Sequence, residues 1–491
     1  MSDPQRVRPR VLVVAHTTTF LTELSLFGDL VRDRTSAEVV FHCAFEHWTA
    51  NTFADKCAAQ GVSCLLEPLS ESLARYRSDT IQEEPWTPSL SVRPARFIER
   101  LSHRMAIALP GVGPKFVAES MAFASRAKEI AGLLSTLKAS LLVLGGDMPG
   151  YDTSLFVKIA HRSSVPVLVV PSTMSNGLEQ AEVYYGNPDH QVTGWERGLI
   201  ATLFPKWVRE HKGRRLFRCP PGRVLAMELA GIAPPQPWIF NSGHADVIAM
   251  ESEAMVDYYA KAGMKNDRMI LTGSLSDDAM ANRLEQSEAL RRDLCGRLGL
   301  DPGRLLVLAA LPPDFLYVTG GRPQCDFQDY RRLAEFWVDS LAALKDCNCL
   351  VALHPSVEVD SMRWIEERGV RIAPQRTADT VPLCDIYVAS ISSTIRWAIA
   401  CGKPVVNYDV YRYRYTDFLG VPGVITTEEQ PEFRAILSRL AGDEAYRAQI
   451  AGAQRSVAAR WGLLDGRVGD RMLAQVERLS GIAAVKPREL P

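Results

Sequence analysis

Apolar residues fall in short unbroken runs separated by longer mixed stretches. Val11-Leu12-Val13-Val14-Ala15, Leu141-Leu142-Val143-Leu144 and Val165 to Val170 are such runs in the first half. Leu305 to Ala310, Leu350 to Leu353, Ile386 to Ala389 and Val405 to Tyr408 are their counterparts in the second half. Unbroken apolar runs predict parallel strands buried on both faces. Ala37 to Ala44, Val247 to Met250 and Ile270 to Thr272 also read as strands. Between them, Phe20 to Arg32, Ala118 to Lys138, Thr153 to His161, Asn282 to Leu298, Tyr330 to Leu344 and Thr394 to Cys401 carry helical spacing. Glu432 to Leu479 reads as mostly helical. Strand–helix alternation predicts βαβ units and two Rossmann-like sheets, with the join within 280–305. The expected division is 1–285, 286–470 and a partly helical tail at 471–491. Residues 70–115, broken by Pro85, Pro88, Pro94, Pro110 and Pro114, read as an irregular insertion.

Composition narrows the function. With 491 residues, 47% hydrophobic and 23% charged, the chain can bury sizeable cores. Its 56 basic and 57 acidic residues give a net charge of −1. A protein coating nucleic acid carries a basic excess, so no nucleic-acid partner is expected. Ten cysteines are scattered without zinc spacing, which suits reduced thiols in the cytoplasm. Met1 to Arg10 lacks the apolar core of a signal peptide, and no apolar run is long enough to span a bilayer. Two stretches stand out as locally basic. Lys206 to Arg218 interleaves cations with Phe204, Trp207 and Phe217, and Tyr411-Arg412-Tyr413-Arg414-Tyr415 alternates. Residues 204–218 could rest on anionic headgroups as a peripheral membrane contact or hold an anionic glycan, and a solvated surface is the plain alternative.

Candidate chemistry concentrates at predicted strand ends, where open α/β sheets bind ligands. His354-Pro355 ends one strand. Ser390-Ile391-Ser392-Ser393-Thr394 ends another and opens a helix, whose N–H groups and hydroxyls suit a phosphate. The alternative is a plain N-cap. Gly321-Arg322 follows the first strand of the second half and offers a further phosphate contact or a surface turn. In the first half, Asp147 follows a buried strand and is a general-base candidate, or else a helix cap. His16 and Asp152 are weaker acceptor-side candidates. No Gly-x-Gly-x-x-Gly, P-loop, Gly-x-Ser-x-Gly or His-Glu-x-x-His motif occurs, which disfavours dehydrogenases, NTPases, serine hydrolases and zincins.

Over roughly 140–470 the layout resembles the GT-B superfamily of nucleotide-sugar glycosyltransferases. Gly146-Asp147 after a strand, Leu271-Thr272-Gly273-Ser274, and Gly402-Lys403-Pro404-Val405-Val406 resemble UDP-N-acetylglucosamine 2-epimerases. Ser390-Ile391-Ser392-Ser393 departs from the epimerase Asp-Ser-Gly-Gly, and the epimerase His before Gly146 is absent. The His-Pro and Ser-Ser pairs look instead like bacterial transferases using CMP-sugars and like CDP-glycerol glycerophosphotransferases. The resemblance implies an α/β, two-domain GT-B-like enzyme with a central cleft. His354 would contact the nucleotide, and Ser392 and Ser393 would hold its phosphate. With no Asp-x-Asp pair, a metal-independent reaction without cofactor is expected. The donor would be a nucleotide-sugar, CMP-linked, and the acceptor a glycan or lipid-linked sugar in capsule or lipopolysaccharide synthesis. An epimerase, a glycerophosphotransferase and a non-catalytic GT-B-like binding module are the alternatives.

Overall fold

The computed structural model describes residues 8–73, 108–171, 177–241, 243–316, 325–354 and 357–485. Two parallel sheets dominate. The first contains β1 (Arg10–Ala15), β2 (Glu38–Cys43), β3 (Ser63–Leu66), β4 (Ala139–Leu144), β5 (Val167–Val169), β8 (Val247–Met250) and β9 (Met269–Leu271). Its order is β3-β2-β1-β4-β5-β8-β9. The second contains β10 (Leu305–Ala310), β11 (Cys347–Ala352), β12 (Arg371–Ile372), β13 (Ile386–Ala389), β14 (Val405–Tyr408) and β15 (Val424–Thr427), in the order β12-β11-β10-β13-β14-β15. In both sheets the chain starts in the middle, winds to one edge, then returns to wind to the other. That is the Rossmann order twice over, and each sheet reverses direction beside its first strand. The molecule therefore has the α/β, GT-B-like architecture of two doubly wound domains. A small antiparallel hairpin, β6 (Val208–His211) and β7 (Arg214–Phe217), lies outside both sheets.

Burial explains the order. Val11, Leu12, Val13 and Val14 are fully buried, as are Leu141 to Leu144, because β1 and β4 are covered on both faces by helices. The expected irregularity at 70–115 falls mostly on residues 74–107, outside the described residues. The C-terminal stretch is three helices, Gln430–Gly442, Glu444–Arg455 and Val468–Ser480. The last of these returns to the first domain. Val468, Met472 and Val476 join the same core as β1, and Val485 N–H donates to the Arg34 carbonyl at 2.7 Å.

A buried polar belt ties the two domains. Glu23, on the helix Leu21–Arg34, accepts from the Ser276 hydroxyl. Next to it, Asp277 pairs with Arg396 of the second domain at 2.9 Å, with side chains 0% and 5% exposed. Arg396 also donates to the Trp461 carbonyl at 3.0 Å. Glu251, just past β8, is buried within the reach of the same cation. Three carboxyl groups around one guanidinium leave the belt short of positive charge, and burial raises the pKa of both Glu23 and Glu251.

Candidate functional site

Each sheet offers one crevice at its reversal point. In the first, β1 and β4 end side by side, with Val14 paired in register to Leu144. The next residues are His16 from β1 and Gly145-Gly146-Asp147 from β4. The glycines are required by packing. A Cβ on Gly145 would sit 2.5 Å from Phe20, and one on Gly146 would sit 2.5 Å from Phe240. Those two rings meet edge to face, with centroids 5.5 Å apart.

Asp147 does not face the cleft. It is fully buried, with Oδ2 accepting from His244 N–H at 2.9 Å and Oδ1 from the Ser154 hydroxyl at 3.4 Å. The sequence expectation of a cleft-facing base is corrected: this carboxylate ties two loops together. Asp152 is likewise engaged, accepting from Arg126 Nε at 2.8 Å. Arg126 also pairs with Glu129 and with Glu67, and Glu67 lies 3.4 Å from His42 Nε2. Burial alone would raise Glu67, but hydrogen bonds from His42 and Arg126 outweigh it and hold its pKa at about 2.

His16 differs from these neighbours. It is buried, and neither ring nitrogen has a hydrogen-bond partner. Phe156 meets its ring edge-on at 5.4 Å, and Tyr151 lies 6.2 Å away. Burial, then the His42 ring and the Arg126 cation, lower its pKa to about 3. The imidazole is thus neutral at neutral pH. A buried polar group without a partner calls for an explanation, because leaving one unpaired costs on the order of 1–3 kcal/mol.

The second crevice lies where β10 stands between β11 and β13. Ala310 pairs with Ala352, and Ala309 with Val388. His354 follows β11 and Ser390 follows β13, so the two strand ends flank β10 at roughly 10 Å, two strand spacings. His354 is partly buried, and burial lowers its pKa, favouring the neutral ring. Ser390 is buried, and its hydroxyl has no partner. Ile391 adopts φ 45°, a left-handed conformation that a β-branched residue rarely takes. Its N–H donates to Asn407 Oδ1 at 2.8 Å, which holds the turn. The helix after the turn, Ile395–Ala400, has six residues. Its first N–H groups, at Ile395, Arg396 and Trp397, already bond to the carbonyls of Ser392, Ser393 and Thr394. Phosphate binding by a long helix dipole is therefore set aside; what this strand end presents is the turn itself and its hydroxyl side chains. Thr394 Oγ1 is taken by the Tyr387 hydroxyl and by Ser392 Oγ at 2.8 Å, so it supports the turn from within.

Three stacked tyrosines adjoin this crevice. Tyr411 and Tyr413 lie 5.5 Å apart and Tyr413 and Tyr415 5.3 Å, both stacked, with Phe315 tilted against the first two. Arg412 and Arg414 make the stack possible by taking φ 53° and 55°, which turns every second side chain to one face. The buried Asp409 carboxylate holds them there, accepting from Tyr413 N–H at 3.1 Å and Arg414 N–H at 2.6 Å. Burial raises the pKa of Tyr413 and Tyr415, and the Glu179 and Glu182 carboxylates of the first domain add to it. Arg412 pairs with Asp326 at 2.9 Å and Arg414 with Glu428 at 2.8 Å. The aromatic–basic stretch is thus a neutralised structural ladder.

Comparison with known proteins comes from shape alone. No family model and no curated protein matches the chain. Among solved structures, it is similar to a UDP complex of S. aureus MnaA at 11% identity, covering 98% of this chain and 100% of that one with a TM-score of 0.48. It is similar to a Neisseria meningitidis UDP-GlcNAc 2-epimerase bound to UDP-GlcNAc, at 12% identity over 96% and 99% of the chains with a TM-score of 0.49. The wall teichoic acid polymerase TagF is similar at 12% identity over 70% and 72%, with a TM-score of 0.44. These are the kinds of protein that the sequence resembles. At such scores they carry no argument about chemistry, which rests on the two crevices.

Of the residues singled out from sequence, His16 stands at the first crevice, and His354, Ser390, Ser392 and Ser393 stand together at the second. Asp147, Asp152, Ser392 and Thr394 are engaged in internal bonds, the Ser392 hydroxyl oxygen also accepting from Thr394 N–H at 3.3 Å. Gly321, Arg322 and Pro355 lie outside the described residues. Sequence reasoning missed Asn407 and Asp409, whose only signal was two polar residues bracketing Tyr408 at a buried strand end.

Proposed function

We propose that the protein transfers a sugar from a nucleotide-activated donor, gripping the nucleotide at the second crevice and the acceptor at the first. One observation supports this reading: at the reversal point of each sheet stands a buried polar group with no hydrogen-bond partner among the described residues, His16 in one domain and Ser390 in the other. Both lie where doubly wound sheets bind ligands. In the reaction, the neutral His16 imidazole accepts a hydrogen bond from an acceptor hydroxyl and orients it. The hydroxyl oxygen attacks the anomeric carbon, and the bond from that carbon to the nucleotide phosphate breaks. The hydroxyl proton leaves to solvent water, because burial, the His42 ring and the Arg126 cation make His16 too weak a base to keep it. Ser390, Ser392, Ser393 and His354 donate hydrogen bonds to the departing phosphate. The phosphate charge is met by these donors without a metal ion, and the donor is a CMP-sugar. The acceptor is a glycan or lipid-linked sugar of capsule or lipopolysaccharide type, used on the cytoplasmic side.

Thermal denaturation with CMP, CDP and UDP at millimolar levels tests the grip. CMP should raise the melting temperature most, and CMP-sugar should then release CMP only when acceptor is present. Stabilisation by UDP alone would transfer the reading to an epimerase-like reaction. If no nucleotide stabilises the chain, the crevices are not a nucleotide site.

A further inference from the structure

We propose that the helix Gly194–Leu203 and the β6–β7 hairpin together form a docking face for the surface of an anionic phospholipid bilayer, a proposal independent of the transfer reaction. The helix is inside out for a surface helix. Trp195, Leu199 and Leu203 are 66%, 45% and 59% exposed. Their spacing of four residues puts them on one stripe. The polar residues of the same helix are turned to internal use. Glu196 accepts from the N–H groups of Gly111 and Val112 at 3.0 and 2.9 Å, and Arg197 donates to the Gln191 carbonyl at 3.0 Å. Ile200 and Ala201 fill the opposite, buried face. The orientation of the stripe is thus fixed by bonds on the other sides of the helix.

The charge beside the stripe selects the occupant. From Gly194 to Arg218 there are seven Lys or Arg (197, 206, 209, 212, 214, 215, 218) against two Glu (196, 210), a surplus of five in a chain whose net charge is −1. Not all the aromatics of 204–218 reach the surface. Trp207 and Phe217 are fully buried, and Trp207 Nε1 donates to Glu228 at 2.6 Å. Arg209 lies over Trp238, and Arg218 is buried over Tyr184. Lys206 is paired with Glu228 at 3.0 Å and Lys212 with Glu182 at 2.6 Å, so the cations that reach solvent without a carboxylate partner among the described residues are the hairpin arginines Arg214 and Arg215. Val192 N–H, just before the helix, donates to the Arg215 carbonyl at 2.9 Å, so the hairpin arginines adjoin the tryptophan end of the apolar stripe, and apolar side chains beside guanidinium groups match the acyl carbon and phosphate of a bilayer interface.

Vesicle flotation of the full chain tests this. Binding is expected to phosphatidylcholine vesicles containing phosphatidylglycerol, and not to phosphatidylcholine alone, and high salt should release it. Trp195→Ser/Leu199→Ser/Leu203→Ser should abolish binding with an unchanged melting temperature, since these side chains are exposed. Arg214→Ala/Arg215→Ala should weaken it about thirtyfold. Val359→Ser, an exposed apolar residue of the second domain, should leave it unchanged. Absence of binding, equal binding to neutral vesicles, or retention by the triple variant overturns the proposal. So does a dimer that the triple variant converts to monomer, which makes the face a contact between copies. Capture by a soluble anionic polysaccharide without vesicle binding assigns the cations to a glycan instead.

Discussion

The two crevices share a strand order and differ in chemistry. Around the first, ions are abundant and already paired: Arg126 with Glu67, Glu129 and Asp152. One neutral imidazole, His16, stands unpaired among them. Around the second, the groups at the strand ends are hydroxyls, a neutral imidazole and stacked aromatic rings. On the proposed reading the same fold is furnished for two tasks. A site that orients a hydroxyl needs an acceptor nitrogen kept free of other partners. A site that holds a phosphate needs hydrogen-bond donors at a strand end. The contrast also shows why fold alone is a poor guide to activity: strand order fixes where ligands sit, and the side chains at the ends fix what they are.

The largest expected effect comes from emptying the first crevice while leaving the second intact. His16→Leu replaces an unpaired polar ring by an apolar side chain, so the melting temperature should hold or rise. Turnover should fall by about 10², the usual cost of misplacing an attacking group. Nucleotide affinity should not move. Because burial holds His16 near a pKa of about 3, the wild-type rate should show no loss of activity near the usual histidine pKa as pH falls. If the variant turns over normally, or if it loses nucleotide binding as well, the division of labour between the crevices is wrong.

A second test addresses the belt that joins the crevices. Glu251 has its pKa raised to about 7, by burial first, with Asp277 and Glu23 adding and Arg396 opposing. A carboxyl group with a folded-state pKa above its unfolded value favours the folded state while protonated. Stability is therefore lost as pH rises from about 4.5 to about 7, and levels off beyond. Glu251→Gln removes that dependence. Relative to wild type it should gain about 2 kcal/mol more at pH 8 than at pH 5, measured by urea unfolding at both. An identical difference at the two pH values would mean the carboxyl group is solvated in the folded chain.

Much of this was legible in the sequence, and the boundary has a physical cause. Central strands such as β1, β4, β10 and β13 announce themselves because burial on both faces demands unbroken apolar runs. Edge strands do not. Ser63–Leu66 and Arg371–Ile372 are short and half-covered, and nothing in their composition separates them from loops. The hairpin of 208–217 was hidden for the opposite reason: its cations suggested an open surface, while its aromatics are in the core. His16 and Ser390 were readable as strand-end residues. That Asp147 spends its carboxylate on His244 was not, because that bond spans 97 residues and no local pattern encodes it.

The smallest effect offers the sharpest contrast. Ser390→Ala deletes one hydroxyl that has no partner in the folded chain, so stability should be unchanged or slightly improved. A hydrogen bond to a charged group is worth about 1.5–3 kcal/mol, so nucleotide affinity by calorimetry should fall about tenfold or more. The maximal rate with saturating donor should change far less than in His16→Leu. Each group occupies its own sheet, and the pair shares no partner. In the double variant the loss of affinity should then equal that of Ser390→Ala alone, within about 0.5 kcal/mol. Coupling beyond that would mean that His16 and Ser390 contact the same bound group.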